Sequence, residues 1–318
     1  MKKIKWGIIG TGKIANKFAS DMQYTTNAKL HAVGSRNLSS AKSFATNYGC
    51  SIYYDSYEAL YHDEEIEAIY IATPHNFHFQ NATDVLQAGK AVLCEKPLTV
   101  NPNECKSLIA IAEKSKQYLM EGMWTYFLPS IIKTQEWIAK GEIGQITQIK
   151  ADFGFKAEFN PNGRLFNPEL AGGAMLDIGI YPIALSWLIM KQHPKNIKVV
   201  GSHASTGVDM ESIFIFEYEN ETAVLGSSLR TQLPNTGYVV GTEGFIEIPN
   251  FWMSHEAILH KHNQKIEHYK SPRKGNGFEY EIEAVSKDII AGKLQSDIMP
   301  LSHSLALQEQ MKLVLDKM

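Results

Sequence analysis

The chain has 318 residues, 44% of them hydrophobic and 20% charged, with a net charge of −3. That length suggests about two domains, each with ordinary apolar material for a core. The charge argues against nucleic acid as main partner, since phosphate binding needs a basic surface, and no apolar run approaches the roughly 18–20 residues that span a bilayer.

The start, MKKIKWGIIG, imitates a signal peptide. Its apolar part is short, has no small-residue cleavage site and runs straight into a glycine motif, so no export segment is expected. Strand and helix then alternate. Strands are predicted at 5–9, 30–34, 51–54, 68–72, 91–94 and 118–123. Helices are predicted at 13–22, around Ala41, Phe44, Ala45 and Tyr48, at 78–88, where Gly89 stops the helix, and from Asn101-Pro102 to about 116. Repeated βαβ units imply a doubly wound parallel sheet with helices on both faces.

The texture changes after residue 123. One helix at 128–139 is followed by strands at 146–155, 197–203, 211–218, 222–229, 238–240, 245–248 and two around 257–269. Alternation in SIFIFEYE, with turns at Glu219-Asn220 and Glu243-Gly244, implies a mainly antiparallel sheet buried on one face. Helices follow at 277–291 and 301–318. The expected organisation is a nucleotide-binding domain at 1–123 and an α+β domain at 124–318, with helix 301–318 packing back on the first. The fold class is α/β. Cys50, Cys94 and Cys105 form a sparse, odd set without metal-like spacing. They point to a reduced, cytoplasmic setting.

Gly10-x-Gly12-x-x-Ala15 ends the first strand and opens the first helix. Gly10 permits the tight turn, Gly12 lets backbone approach a pyrophosphate, and Ala15 allows close helix–strand packing. Thr11, Lys13 and Ile14 complete that turn. An NAD site places an acid at the end of the second strand. Ser35-Arg36-Asn37 stands there instead. Arg36 can pair with a 2′-phosphate and stack on adenine, so NADP is favoured over NAD.

Two further strand ends reach the same edge. Thr73-Pro74-His75 follows AIYIA, with His78 one turn on. The run VLCEKPLTV stops a buried strand at Glu95-Lys96-Pro97, although a turn needs only the proline. The topology brings Lys96 to the nicotinamide side of the crevice, and a cis Lys96–Pro97 bond is open. In GGAMLDIGIYP, read as a helix, Asp177 and Tyr181 stand at i and i+4 on one face. Gly173 lets backbone pass close to something, and Asp177, in apolar company, needs a partner. Trp124, Tyr126 and Phe127 fit a ligand wall and hinge packing equally. Arg164 either reaches the substrate or holds its loop, and the loop role is favoured. His260, His262 and His268 lie in a polar stretch without nearby acidic partners, so a solvated strand pair is expected and no metal site.

GIIGTGKIA, ATPHNFH, EKP and GGAMLDIGIYP together resemble the Gfo/Idh/MocA oxidoreductase family over essentially the whole chain. LMEGMWTYFLP and FNPNGRLFNPELAGGAMLDIGIYP resemble its dihydrodiol dehydrogenase and glucose–fructose oxidoreductase branch. The inositol dehydrogenase branch usually has a histidine where Tyr181 stands, so a tyrosine replaces that base. The resemblance implies that Lys96, Asp177 and Tyr181 line the reacting centre. It also implies a homodimer through the open face of the second sheet. The expected activity is NADP-dependent hydride transfer to or from a hydroxyl-bearing carbon of a sugar, polyol or trans-dihydrodiol. Tyr181 takes the hydroxyl proton, Lys96 stabilises the alkoxide and Asp177 orients; the roles of Lys96 and Tyr181 are exchangeable. The alternative is a non-catalytic sensor of NADP or sugar on the same fold.

Overall fold

An apolar run stopped by Gly10 forms the first strand of a parallel sheet. The structure is a computed structural model, and it describes residues 2–261 and 264–318. In chain order the first elements are β1 (Ile4–Ile9), α1 (Lys13–Asp21), β2 (Ala28–Gly34), α2 (Leu38–Asn47) and β3 (Ile52–Tyr54). Then come α3 (Tyr57–Tyr61), β4 (Ala68–Ile71), α4 (His78–Gln87), β5 (Ala91–Glu95), α5 (Pro102–Ser115) and β6 (Leu119–Gly122). Asn37, Ser56 and Asn101 each accept a backbone N–H three residues on and so start α2, α3 and α5. The short α3 was not predicted; five residues are too few for a periodic signal. The described residues form a six-stranded parallel sheet in the order β3-β2-β1-β4-β5-β6. Its strand ends after β1, β2, β4 and β5 therefore emerge on one edge.

The second part contains α6 (Pro129–Ala139), β7 (Ile146–Gly154), a π turn (Met175–Gly179) and α7 (Ile180–Met190). It continues with β8 (Asn196–His203), β9 (Asp209–Glu217), β10 (Thr222–Ser228), β11 (Thr236–Gly241), β12 (Gly244–Pro249), β13 (Glu256–Lys261) and β14 (Gln264–Lys270). Helices α8 (Phe278–Ile290) and α9 (Leu301–Leu315) close the chain. These strands make an eight-stranded sheet ordered β14-β13-β12-β11-β7-β10-β9-β8, antiparallel except at β7–β10. Phe214 and Phe216 are fully buried on one face of β9, whereas Ile213 on the other is 65% exposed.

The stretch Pro168–Met190 corrects the expectation about apolar runs. It is long and apolar enough to cross a membrane, yet 89% of its 18-residue apolar window is buried inside the protein. Alternation of Gly, Ala and polar residues with Ile, Leu and Met hides this run from inspection. All three cysteines are buried and none is in a disulfide.

The chain divides into two compact units. The first takes everything up to Trp124 and also Arg273–Ser304; the second takes Thr125–Pro272 and Leu305–Met318. The boundary drawn from sequence at 123/124 does not include that return of the chain. Its physical basis is local to the first unit. Asp21, at the end of α1 and 1% exposed, accepts the backbone N–H groups of Asn276, Gly277 and Phe278 at 2.7, 3.0 and 3.0 Å, at the start of α8. The Gly277 N–H also reaches Glu279 at 2.9 Å; a buried N–H left stranded without the carboxylate would cost about 1–3 kcal/mol. Trp6 donates to Ser286 Oγ at 3.1 Å, and Phe278 stacks on Trp124 with ring centroids 4.6 Å apart.

Candidate active site

At the end of β1, Gly10 has φ +98°, and a side chain there would press on the Ala72 carbonyl oxygen at 2.8 Å. Only glycine fits both demands. Gly12 differs. A Cβ on Gly12 would meet no protein atom within 4 Å, so the chain's own packing does not require glycine there. The bare backbone at the N-terminus of α1 suits a phosphate, and this cradle fits the pyrophosphate of a dinucleotide. Asn16 holds the turn, donating to the carbonyls of Thr11 and Gly12 at 3.2 and 2.8 Å. Ala15 is fully buried, Ile14 half-buried and Lys13 exposed.

At the end of β2, the Ser35 hydroxyl lies 3.5 Å from that of Thr11 and accepts the Asn37 N–H at 3.4 Å. Arg36 is exposed, its guanidinium carbon 5.7 Å from the ring centre of Phe77. Burial pushes the Tyr57 phenol up, opposed by the Arg36 guanidinium that hydrogen-bonds it. A groove of about 390 Å³ beside the glycine turn is lined by Thr11, Ser39, Ser40 and Ser43 among others. A larger one, about 520 Å³, runs past Lys3, Ala19 and Lys29, away from these strand ends.

At the end of β4, Thr73, Pro74 and His75 are half-buried, and Asn81 donates to Thr73 Oγ1 at 3.0 Å. His78 is fully buried. Its Nδ1 lies 2.7 Å from the Pro97 carbonyl and its Nε2 2.9 Å from the Thr73 carbonyl, while burial holds the imidazole below its usual range. The ring thus ties the loop after β4 to the loop after β5, and no ring nitrogen is turned to solvent. β5 runs one residue further than predicted: Glu95 pairs with Gly122, and its buried carboxylate accepts the Tyr70 hydroxyl. Lys96 follows, half-buried, on a cis bond to Pro97. Trp124, 8% exposed, has one face on Phe278.

In the second unit, Asp177 and Tyr181 are both buried. The segment read as a plain helix begins as a π turn, so α-helical i, i+4 geometry does not hold across it. Pro182 lacks the N–H that an α-helix would donate to Ile178, which favours such a widening just ahead of it. Gly173, at φ +122°, makes room for the Asp209 carboxylate, which accepts the Met175 N–H at 2.6 Å. Burial pushes Asp209 up to about 6, against that N–H. The partner Asp177 needs is Arg164, whose Nη1 donates to Oδ1 at 2.9 Å. Loop-holding and the buried carboxylate were thus one feature, invisible as a pair from sequence. Phe153 meets Tyr181 edge-on with centroids 5.6 Å apart and stacks on Trp252 at 3.9 Å. Tyr126 donates to the Ala184 carbonyl at 2.8 Å, and Phe127 is buried, as packing residues are.

His260 and His268 of the polar stretch lie on the expected strand pair, β13 and β14, but they do have acidic partners. His260 reaches Glu247 at 3.1 Å and His268 reaches Glu256 at 2.7 Å. These acids come from neighbouring strands, which sequence proximity does not reveal. His262 lies outside the described residues. Among the described residues no group of three or more potential ligands could hold a metal.

Residues 4–123 match the Gfo/Idh/MocA oxidoreductase family, NAD-binding Rossmann fold, and residues 131–247 match the Gfo/Idh/MocA C-terminal domain. Trans-1,2-dihydrobenzene-1,2-diol dehydrogenase of Xenopus tropicalis is 34% identical over 310 residues, covering 94% of this chain and 93% of that protein. The human enzyme of the same name is 34% identical over 313 residues, covering 95% and 92%. In fold, the chain is similar to an aldose–aldose oxidoreductase from Caulobacter crescentus complexed with glycerol, with TM-score 0.91, 22% identity and coverage of 99% and 97%. It is also similar to a 3-ketoreductase from Actinomadura kijaniata in complex with NADP and TDP-benzene, with TM-score 0.87, 22% identity and coverage of 99% and 98%. An NAD(P)-binding Rossmann unit, a matching C-terminal domain and near full-length identity of this order establish that the chain belongs to the Gfo/Idh/MocA family of oxidoreductases.

Proposed function

We propose that this enzyme is a cytoplasmic, NADP-dependent dehydrogenase that oxidises a CH–OH group of a trans-dihydrodiol, sugar or polyol. The end of β2 carries the cofactor half of this proposal. Ser35-Arg36-Asn37 stands where NAD-specific folds place a carboxylate, and Arg36 is exposed beside the glycine turn. Similarity to the trans-1,2-dihydrobenzene-1,2-diol dehydrogenases supports the substrate class. The Arg164 charge is engaged by Asp177, which leaves a polar but neutral substrate the better match. The stacked Phe153 and Trp252 supply a flat apolar wall beside the Tyr181 ring, suited to a cyclic carbon skeleton.

Bound NADP would supply the hydride acceptor at its nicotinamide. Gly10, Gly12 and the start of α1 would hold the pyrophosphate, Arg36 the 2′-phosphate, and the strand ends at Thr73-Pro74-His75 and Glu95 the remainder. Lys96 supplies positive charge to the developing alkoxide. Tyr181 takes the hydroxyl proton as general base, with Lys96 favouring its ionised form. Asp177, fixed by Arg164, orients the substrate hydroxyl.

The test is an absorbance assay of NADPH formation with trans-1,2-dihydrobenzene-1,2-diol, D-xylose, D-glucose and myo-inositol, run with NADP and with NAD. Turnover with the diol or an aldose, and a higher kcat/KM with NADP, are expected. Tight NADP binding with no turnover on any of them would favour a sensor instead.

The same proposal includes a homodimer through the open face of the eight-stranded sheet. Val200 of β8 and Ile213 of β9 are register partners there and 78% and 65% exposed. An exposed apolar cross-strand pair is a liability that an interface would cover. Sedimentation should show a dimer, and Ile213→Lys should shift it to monomer; a monomeric wild type would remove the interface.

A further inference from the structure

Besides Asp21 and Glu279 at the start of α8, the first unit buries three carboxyl groups on three other stretches: Glu95 at the end of β5, Glu121 in β6 and Glu281 further along α8. Three like charges cannot share a low-dielectric interior unpartnered, so their states must differ. Glu281 is fully buried, and neither of its oxygens has a hydrogen-bond partner among the described residues. Burial, then the charge on Glu95, pushes it well above the usual carboxylate range, so it is the neutral acid. Glu121 accepts the Leu98 N–H at 2.8 Å, and burial pushes it up to about 7. Glu95 alone of the three is given donors at both oxygens: the Tyr70 hydroxyl at Oε1 and the Lys96 N–H at Oε2, 3.2 Å away. Hydrogen bonds to both oxygens favour the ionised form.

The donor is itself rigid. Tyr70 is fully buried, and its ring stacks on Phe18 at 3.6 Å and 7°. Burial, then the Glu95 charge and its hydrogen bond, push its phenol well up, so it stays a donor. Lys96, the residue after Glu95, acts on this region: its charge draws Glu121 down and helps hold His78 down. Burial, then the Glu95 charge, pushes the neighbouring Cys94 thiol up as well.

We propose that Tyr70 is a positioning residue. By fixing the Glu95 carboxylate it keeps a negative charge at the end of β5, and that charge keeps Lys96 protonated and in place. Glu281 is a neutral neighbour and not the counter-charge. The proposal rests on Lys96 as a reacting residue, but its test does not need turnover. Without the Tyr70 hydroxyl, the Glu95 carboxylate is less favoured. The negative charge beside Lys96 weakens, and the ammonium gives up its proton at lower pH.

Lys96 can be followed by NMR titration of the full chain with 13Cε-labelled lysine, its resonance assigned by its loss in Lys96→Ala. Tyr70→Phe deletes only the hydroxyl and keeps the stack on Phe18. The Lys96 titration should move to lower pH in Tyr70→Phe and stay in place in Glu281→Gln. With trans-1,2-dihydrobenzene-1,2-diol and NADP, Tyr70→Phe should lower kcat about tenfold with KM little changed, as for one hydrogen bond to a charged group. An unmoved Lys96 titration with a lowered melting midpoint would make Tyr70 merely structural. A shift in Glu281→Gln would place the charge on Glu281. Either result overturns the proposal. Should Tyr70→Phe fail to fold, Glu95→Gln gives the same reading, with the same shift expected. An enzyme inactive on the diol would leave the titration result standing.

Discussion

Lys96→Ala is expected to lower kcat by about 10²–10⁴-fold while changing NADP affinity little. The residue ends a buried strand, where a cation is costly unless the charge is used. Charge that develops only in the transition state is stabilised without tightening the ground state, so the loss should fall on kcat more than on KM. The variant should melt near the wild type, because Lys96 is half-buried and contributes no core volume. Tyr181→Phe on the same substrate distinguishes the two exchangeable roles. If Tyr181 is the base, that variant loses one limb of the pH–rate profile. If the limb survives, proton acceptance moves to Lys96. Near wild-type turnover in Lys96→Ala would overturn the catalytic assignment altogether.

The second large effect concerns the cofactor. Ser35→Asp with Arg36→Ile should reverse the preference from NADP toward NAD. The 2′-phosphate is present in one cofactor and absent from the other, so any contact to it discriminates by construction. A charge-assisted pair with Arg36 is worth roughly 1.5–3 kcal/mol, or about 10- to 150-fold in affinity. The new carboxylate adds repulsion of phosphate and can accept ribose hydroxyls. The ratio of kcat/KM for the two cofactors should change by at least the lower of those factors. A ratio that does not move would make Arg36 a surface residue at the entrance of α2.

Elements with local causes were legible before the structure. The glycine turn, the helix start at Asn101-Pro102, and the alternation in β9 each announce themselves within a few residues. The parallel sheet follows from their repetition. What escaped depends on partners far away in the chain. The pairing of Arg164 with Asp177, the acids facing His260 and His268, and the hydroxyl of Tyr70 against Glu95 all require the fold before they exist. The π turn ahead of Pro182 escaped for another reason. Periodicity finds the apolar face of a helix but does not resolve one extra residue in a turn. His78 shows a third kind of gap. The sequence placed it at the right edge, yet only its contacts with Pro97 and Thr73 show a ring engaged by backbone and not presented to a ligand.

The return of Arg273–Ser304 to the first unit bears on how the protein is made. Domains generally fold as units during synthesis, N-terminal first. Here that order cannot be followed. When the ribosome has finished β6, the sheet exists as sequence, but Phe18 and Trp6 still lack α8, and Asp21 has no amides to accept. The nascent first unit must wait, with part of its apolar surface uncovered, while the whole eight-stranded sheet is translated. The last pieces of its core arrive only with Phe278 and the buried residues after it, among them Ile282, Val285 and Met299. A ribosome stalled between Pro272 and Phe278 would therefore hold a first unit vulnerable to proteases and in need of a chaperone.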